Sequence, residues 1–243
     1  MQADKDLIVG IPLYNNCTLM DFAGATQVFS APLGFKAVWL AAEPTTITTE
    51  NVSVVRNYDL QYHPPLDIIF VPGGDSTGVS TQMFNNDYLN FLRENSKTAL
   101  WTGSVCTGAF ILAAAGLLNG FEGDEDNGVT TYWSQIPNLS LLQNKCQFKT
   151  ADGFPRYTFD SKLKRFSGGG ISSSVDLALK LVEIIKGKET AQKTQLFIQY
   201  APDPSLQSGD PSQAPPEIVK ELTAFEADFT AAMNQSVQKL LNS

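Results

Sequence analysis

Runs that are apolar at nearly every position alternate with amphipathic stretches along most of this chain. Within Asp6–Leu13 the run Leu7-Ile-Val-Gly-Ile-Pro12 has no polar side chain. Such a run predicts a strand buried on both faces, as in a parallel sheet. Leu66-Asp-Ile-Ile-Phe-Val71 predicts another, and Thr98–Trp101 is a shorter β-prone run. Lys36–Ala42 predicts a further strand, and Thr45–Tyr58, rich in Thr and Val, a short hairpin or edge strands. Phe148–Phe159 and Leu163–Phe166 also read as strands. Helical spacing of apolar residues marks Leu19–Ser30, Asn86–Asn95 (Leu89 and Leu92 inward) and Gly108–Ala115. It also marks the stretch from Val175 to Ile185 and Thr190–Tyr200, and Thr130–Ser134 starts a short helix. After a Pro/Ser/Gly linker at 202–216, one helix over 217–241 aligns Ile218, Leu222, Phe225, Phe229, Met233, Val237 and Leu240 on a single face. Strands alternating with helices predict an α/β fold, a mostly parallel central sheet flanked by helices in three layers. No internal repeat or second core appears, so residues 1–243 read as one domain.

Composition narrows the class. The chain has 243 residues, 43% of them hydrophobic, and a formal net charge of -8. An acidic surface argues against nucleic acid or an anionic membrane as partner. No stretch reaches membrane-spanning length, and Met-Gln-Ala-Asp-Lys-Asp at the start carries no apolar signal region. A soluble, cytoplasmic protein is expected. The three cysteines, Cys17, Cys106 and Cys146, suggest a reducing compartment more than a disulfide framework. With His63 the only histidine, a multi-histidine metal site is excluded.

Chemistry concentrates at Trp101-Thr-Gly-Ser-Val-Cys-Thr-Gly-Ala-Phe110. A strand here meets a small-residue cluster and then a helix, and a cysteine stands at the turn. That is the pattern of a nucleophile elbow, where bulky neighbours would clash. A free cysteine is also among the most buried residue types, and a structural Cys106 is the plain alternative. Asp21 falls in the first turn of a helix. It is either a cap and dipole partner, or a site residue at the carboxyl edge of the sheet, where open α/β folds hold ligands. Pro72-Gly-Gly-Asp75 follows a strand, and its glycines either present a backbone N–H to a site or form an ordinary turn. Ser167-Gly-Gly-Gly-Ile-Ser172 lacks the Walker lysine and the dinucleotide spacing, so it reads as a tight packing turn. The acidic insert Glu122-Gly-Asp-Glu-Asp126 has no EF-hand spacing and reads as a solvated loop.

Together, Leu19-Met-Asp-Phe-Ala-Gly24, Val71-Pro-Gly-Gly74, Ser104-Val-Cys-Thr-Gly108 and Gly168-Gly-Gly-Ile-Ser-Ser-Ser-Val-Asp176 resemble the ThiJ/PfpI superfamily. With the tail Gln195-Leu-Phe-Ile-Gln-Tyr-Ala-Pro-Asp-Pro204 and Ser208-Gly-Asp-Pro211 they resemble, within it, the isonitrile hydratases. The resemblance runs over nearly the whole chain. It implies a flavodoxin-like, class I glutamine amidotransferase-like sandwich. It also implies Cys106 as nucleophile, Asp21 as its acidic partner, Thr107 completing the site, no cofactor or metal, and a homodimer with the site near the interface. The implied reaction hydrates a small-molecule isonitrile to an N-substituted formamide. Backbone N–H groups of Gly74 and Thr107 are then the expected donors to developing negative charge. Phe22, Tyr132 and Trp133 are the expected apolar pocket wall. Tyr132 stands where relatives carry His, and the acidic insert occupies a region usually shorter and more basic. No histidine follows Cys106, and His63 precedes a core strand, so a Cys-His-acid triad is not expected. A glyoxalase or deglycase is the enzymatic alternative. The non-enzymatic one is a ligand-binding or oxidation-sensing module with Cys106 as sulfinic acid, although no DNA-binding helix-turn-helix follows.

Overall fold

The apolar runs become the middle of one sheet. The computed structural model describes residues 5–31 and 33–243. Met1–Asp4, on which the reading of the chain start partly rests, lie outside them. β1 (Leu7–Pro12) leads through α1 (Leu19–Phe29) to β2 (Phe35–Ala41). A hairpin of β3 (Thr45–Ile47) and β4 (Ser53–Val55) stands apart as a two-stranded sheet, followed by the short edge strand β5 (Tyr58–Asp59). Then come β6 (Ile68–Val71), α2 (Ser76–Met83), α3 (Asn86–Ser96), β7 (Trp101–Val105) and α4 (Gly108–Ala114). α5 (Ile136–Ser140) and α6 (Gln143–Cys146) precede β8 (Tyr157–Asp160), β9 (Arg165–Gly168), α7 (Ser173–Lys186) and α8 (Lys188–Phe197). The chain closes with α9 (Pro216–Phe225) and α10 (Ala227–Leu241).

The main sheet runs β5-β2-β1-β6-β7-β9-β8, parallel except for the β8–β9 pair. β1 has β2 on one side and β6 on the other, so the chain reverses its direction of winding there. Such a switch point opens a crevice at the carboxyl ends of the strands. α1, α7 and α8 pack together, and α2 packs with α4 and α10. Phe29, Phe70 and Phe166 stack through the core, with ring centroids 6.3 and 5.5 Å apart. Gly103 in β7 is required because a Cβ there would collide with the Phe166 ring.

The structure departs from the pattern-based reading in three places. α2 is absent from that reading because Ser76–Met83 has little apolar periodicity; its start is marked instead by Asp75, whose carboxylate accepts from the Gly78 N–H at 2.7 Å. The strand expected from Phe148 begins only at Tyr157. The 217–241 helix is interrupted at Glu226, and only its second half seals the core: Met233 and Val237 have no exposed surface, whereas Phe225 is 85% exposed. The acidic insert is solvent-exposed, as expected, and is also anchored. Asp124 accepts from the N–H and hydroxyl of Ser161 (2.9 and 2.7 Å), and Asp160 accepts from the N–H groups of Glu122 and Gly123 (3.1 and 3.2 Å).

Candidate active site

Cys106 follows β7 at the carboxyl edge of the sheet, with φ at 55°. A non-glycine residue in that left-handed region is strained, and such strain persists only where the surroundings over-determine it. Here both peptide groups are held. The Cys106 N–H donates to the Gly169 carbonyl at 2.7 Å, and the Thr131 hydroxyl donates to the Cys106 carbonyl at 2.7 Å. The side chain is 5% exposed.

Asp21 does not cap its own helix. Its Oδ2 accepts from the Gly73 N–H at 2.8 Å, its Oδ1 is buried without a hydrogen-bond partner, and the carboxyl interacts with the Cys106 thiol. The carboxyl has no exposed surface. Burial pushes its pKa up to about 8, against the opposing pull of the Gly73 N–H and the Cys106 thiol. Burial, then the Asp21 charge, also pushes the Cys106 thiol up; the Thr107 N–H and hydroxyl oppose this. Both shifts favour the uncharged forms, so near neutrality the pair holds a carboxylic acid beside a thiol.

Three loops converge on this pair. The Thr18 N–H donates to the Gly73 carbonyl (2.9 Å), the Asp75 N–H to the Asn16 carbonyl (3.0 Å) and the buried Tyr14 hydroxyl to the Pro72 carbonyl (3.0 Å). Thr107 closes the ring: its hydroxyl donates to the Gly74 carbonyl and accepts from the Gly74 N–H, both at 2.9 Å. A Cβ on Gly73 would lie 2.6 Å from the Thr107 nitrogen and 2.8 Å from the Cys106 Cβ, so only glycine permits this approach.

A profile of the DJ-1/PfpI family matches residues 9–152, more than half of the chain. The chain belongs to the DJ-1/PfpI family. It is 33% identical over 220 residues to isonitrile hydratase of Pseudomonas putida, covering 88% of each chain. It is 26% identical over 211 residues to the HTH-type transcriptional regulator GbdR of Pseudomonas aeruginosa, covering 78% of this chain and 50% of the regulator. Among solved structures, a ThiJ/PfpI family protein from Pseudomonas syringae superposes with a TM-score of 0.84 at 25% identity, over 96% of this chain and 90% of that one. Oxidized DJ-1 of Toxoplasma gondii shares the fold, with a TM-score of 0.64 at 20% identity over 81% of this chain and 100% of that one.

Within this DJ-1/PfpI frame the residues singled out from sequence divide. Asp21, Cys106 and Thr107 come together as expected. Gly74 does not offer a free donor, because its N–H is taken by Thr107; it is the neighbouring Gly73 whose N–H faces the site, through Asp21. Two adjacent peptides point their N–H groups in different directions, and a sequence motif does not say which one turns inward. Phe22 is core, edge-on to Trp39 at 5.3 Å with no exposed surface. Tyr132 and Trp133 do line a groove of about 1530 Å³ that opens between α7, α8 and the 200–213 segment. His63 packs edge-on against Phe91 (5.4 Å) before β6. Cys17 is fully buried and bridges to Gly74, with its thiol pushed up to about 12 by burial. Sequence alone does not single out Tyr14, Thr131 or Gly169, which act through position or backbone atoms, and it flags Gly73 only as one of the two glycines after β6. Among the described residues no cluster of His, Cys, Asp and Glu could hold a metal ion, and no helix is long and apolar enough to cross a membrane.

Proposed function

We propose that this protein hydrates isonitriles to N-substituted formamides, with Cys106 as nucleophile and Asp21 as proton carrier. The observation that carries this reading is the fully buried Asp21 carboxyl, held by the Gly73 N–H beside a strained elbow cysteine, in a chain whose single histidine packs against Phe91. The similarity to the Pseudomonas putida isonitrile hydratase supports the same choice.

The Cys106 sulfur bonds to the terminal carbon of R–N≡C. Asp21 gives its proton to that carbon and takes the thiol proton in exchange, leaving a thioimidate, R–N=CH–S–Cys106. Water then adds to the same carbon. Asp21 protonates the nitrogen and takes a proton from the water, giving R–NH–CH(OH)–S–Cys106. The C–S bond breaks, the hydroxyl proton passes to sulfur, and R–NH–CHO leaves. A carboxyl that is neutral at rest suits both exchanges, and such general acid–base transfers are typically worth about 100- to 10,000-fold. Thr107, tied on both sides to Gly74, holds the β6 loop against the sulfur and presents its N–H there.

The protein is further proposed to be a cytoplasmic homodimer. Three buried free cysteines fit a reducing compartment. The exposed apolar side chains Leu196, Phe197, Leu206, Ile218, Leu222 and Phe225 fit the seat of a second copy of this chain. The test is formamide production from a simple aryl or alkyl isonitrile. Wild-type turnover that is abolished in Cys106→Ala and in Asp21→Asn, with folding retained, supports the reading. Full activity in Cys106→Ala sinks it. Turnover of methylglyoxal with none of isonitriles would turn the assignment to a glyoxalase.

A further inference from the structure

The 1530 Å³ groove stops short of Cys106. Its lining includes Met20, Thr131, Tyr132, Gly169 and Gly170. Two of these, Thr131 and Gly169, are the residues that grip the Cys106 peptide. Tyr132 follows Thr131 directly in the chain, so its ring lines the groove next to the residues that hold the Cys106 peptide.

Tyr132 is not free to swing. Its ring lies against Gly170, where a Cβ would sit 3.2 Å from the Tyr132 Cδ2. Its hydroxyl donates to Glu226 Oε1 at 2.6 Å, across 94 residues of chain. Burial, then the Glu226 bond, pushes the tyrosine pKa well up. Glu226 sits at the break between α9 and α10, and its Oε2 is buried with no partner. An orphaned buried carboxylate oxygen is costly, and native structures rarely keep one without a use. The break itself is held in place by a polar seam: Gln135 donates to the Thr230 hydroxyl, Asn138 to the Thr230 carbonyl and Asn234 to Asn138, each at 3.0 Å.

The geometry points to Tyr132 as a gate between the groove and Cys106, with Glu226 as the latch that sets which substituents R reach the sulfur. Glu226 is thereby a specificity-determining residue of the site; the substrate class rests on the isonitrile reading, the gate does not. Latched, the ring admits slender groups. Unlatched, it turns toward the groove and admits bulky ones.

The test compares alkylation of Cys106 by iodoacetamide and by a bulky neutral N-aryl iodoacetamide, read by mass spectrometry of the Cys106 peptide. Wild type is expected to favour the small reagent strongly. Tyr132→Phe and Glu226→Ala should each cut that preference about tenfold, the population change that loss of one charge-assisted hydrogen bond produces. Glu226→Gln, which keeps an acceptor for the tyrosine hydroxyl, should retain most of the preference. Thermal melts identify any variant that fails to fold, and the remaining latch variant then decides. A preference unchanged within about twofold in a folded latch variant overturns the gate, since the lost bond would then carry under a third of the expected tenfold energy. If wild type makes no formamide from any isonitrile, the substrate reading fails while the alkylation ratio still decides the gate.

Discussion

Moving an aspartate from water into the space beside Cys106 removes its hydration and leaves it one backbone N–H and one thiol. Those two contacts do not offset the loss, and the carboxyl pKa rises from 3.8 to about 8. The sign of the linkage follows. Between those values the unfolded chain has released the proton and the folded chain still holds it, so Asp21 favours folding below pH 4 and loses that contribution as pH rises to 8. The melting temperature of Asp21→Asn, which cannot ionise, is therefore expected to gain on wild type between pH 4 and 8 and to run parallel above it. The same titration should reduce kcat/KM for isonitrile hydration above pH 8, because the proton given to carbon is then missing. A flat rate profile across that range would remove Asp21 as the acid. Gly73→Ala should destabilise by about 1–3 kcal/mol, the usual penalty of overpacking, and melting curves would show it. Cys106 was legible from its elbow motif, Asp21 was open between a helix cap and a site residue until the family resemblance, and Thr107 came with that resemblance alone. Gly73 was not distinguishable from Gly74, since only the path of the backbone decides which N–H meets the carboxyl.

Elements were legible where burial is two-sided or cleanly one-sided. β1 and β6, apolar throughout, and α7, with its strong stripe, emerge close to the expected bounds. α2 did not, because capping by Asp75 and packing on α10, not its own pattern, hold Ser76–Met83 in a helix. The stripe over 217–241 is continuous in sequence yet serves two purposes. α10 spends it on the core, and α9 leaves it in solvent. Met233→Ala should accordingly cost about 2–5 kcal/mol in denaturant unfolding, as for other buried large-to-small changes. Leu222→Ala should stay within about 0.5 kcal/mol in the monomer, as for other exposed positions. Equal losses at both sites would mean that α9 is as firmly docked as α10.

For the molecule as a whole, the apolar surface on α8, the 200–213 segment and α9 stays exposed among the described residues. If a second copy covers it, Leu222→Glu combined with Phe225→Glu should shift sedimentation from dimer to monomer while leaving the melting curve of the isolated fold nearly unchanged. Wild type that sediments as a monomer would remove the dimer from the proposal. The same surface borders the groove, and Glu226 lies at the end of α9, so the proposed dimer contact and the proposed gate share one region of the fold.

Fold class, the elbow and the absence of a histidine base follow from local pattern and composition, because burial periodicity, turn chemistry and residue counts are properties of the chain itself. The partnership of Asp21 with Cys106, which the motifs and the family resemblance had suggested, takes its physical form only in the sheet. The crossing at β1 sets the helix after one strand beside the turn after another. Closure of the sheet edge then removes water from the carboxyl. Which glycine N–H faces inward, where the C-terminal stripe divides and what ties Tyr132 to Glu226 are likewise matters of packing between segments far apart in the chain. No local pattern of side chains encodes them.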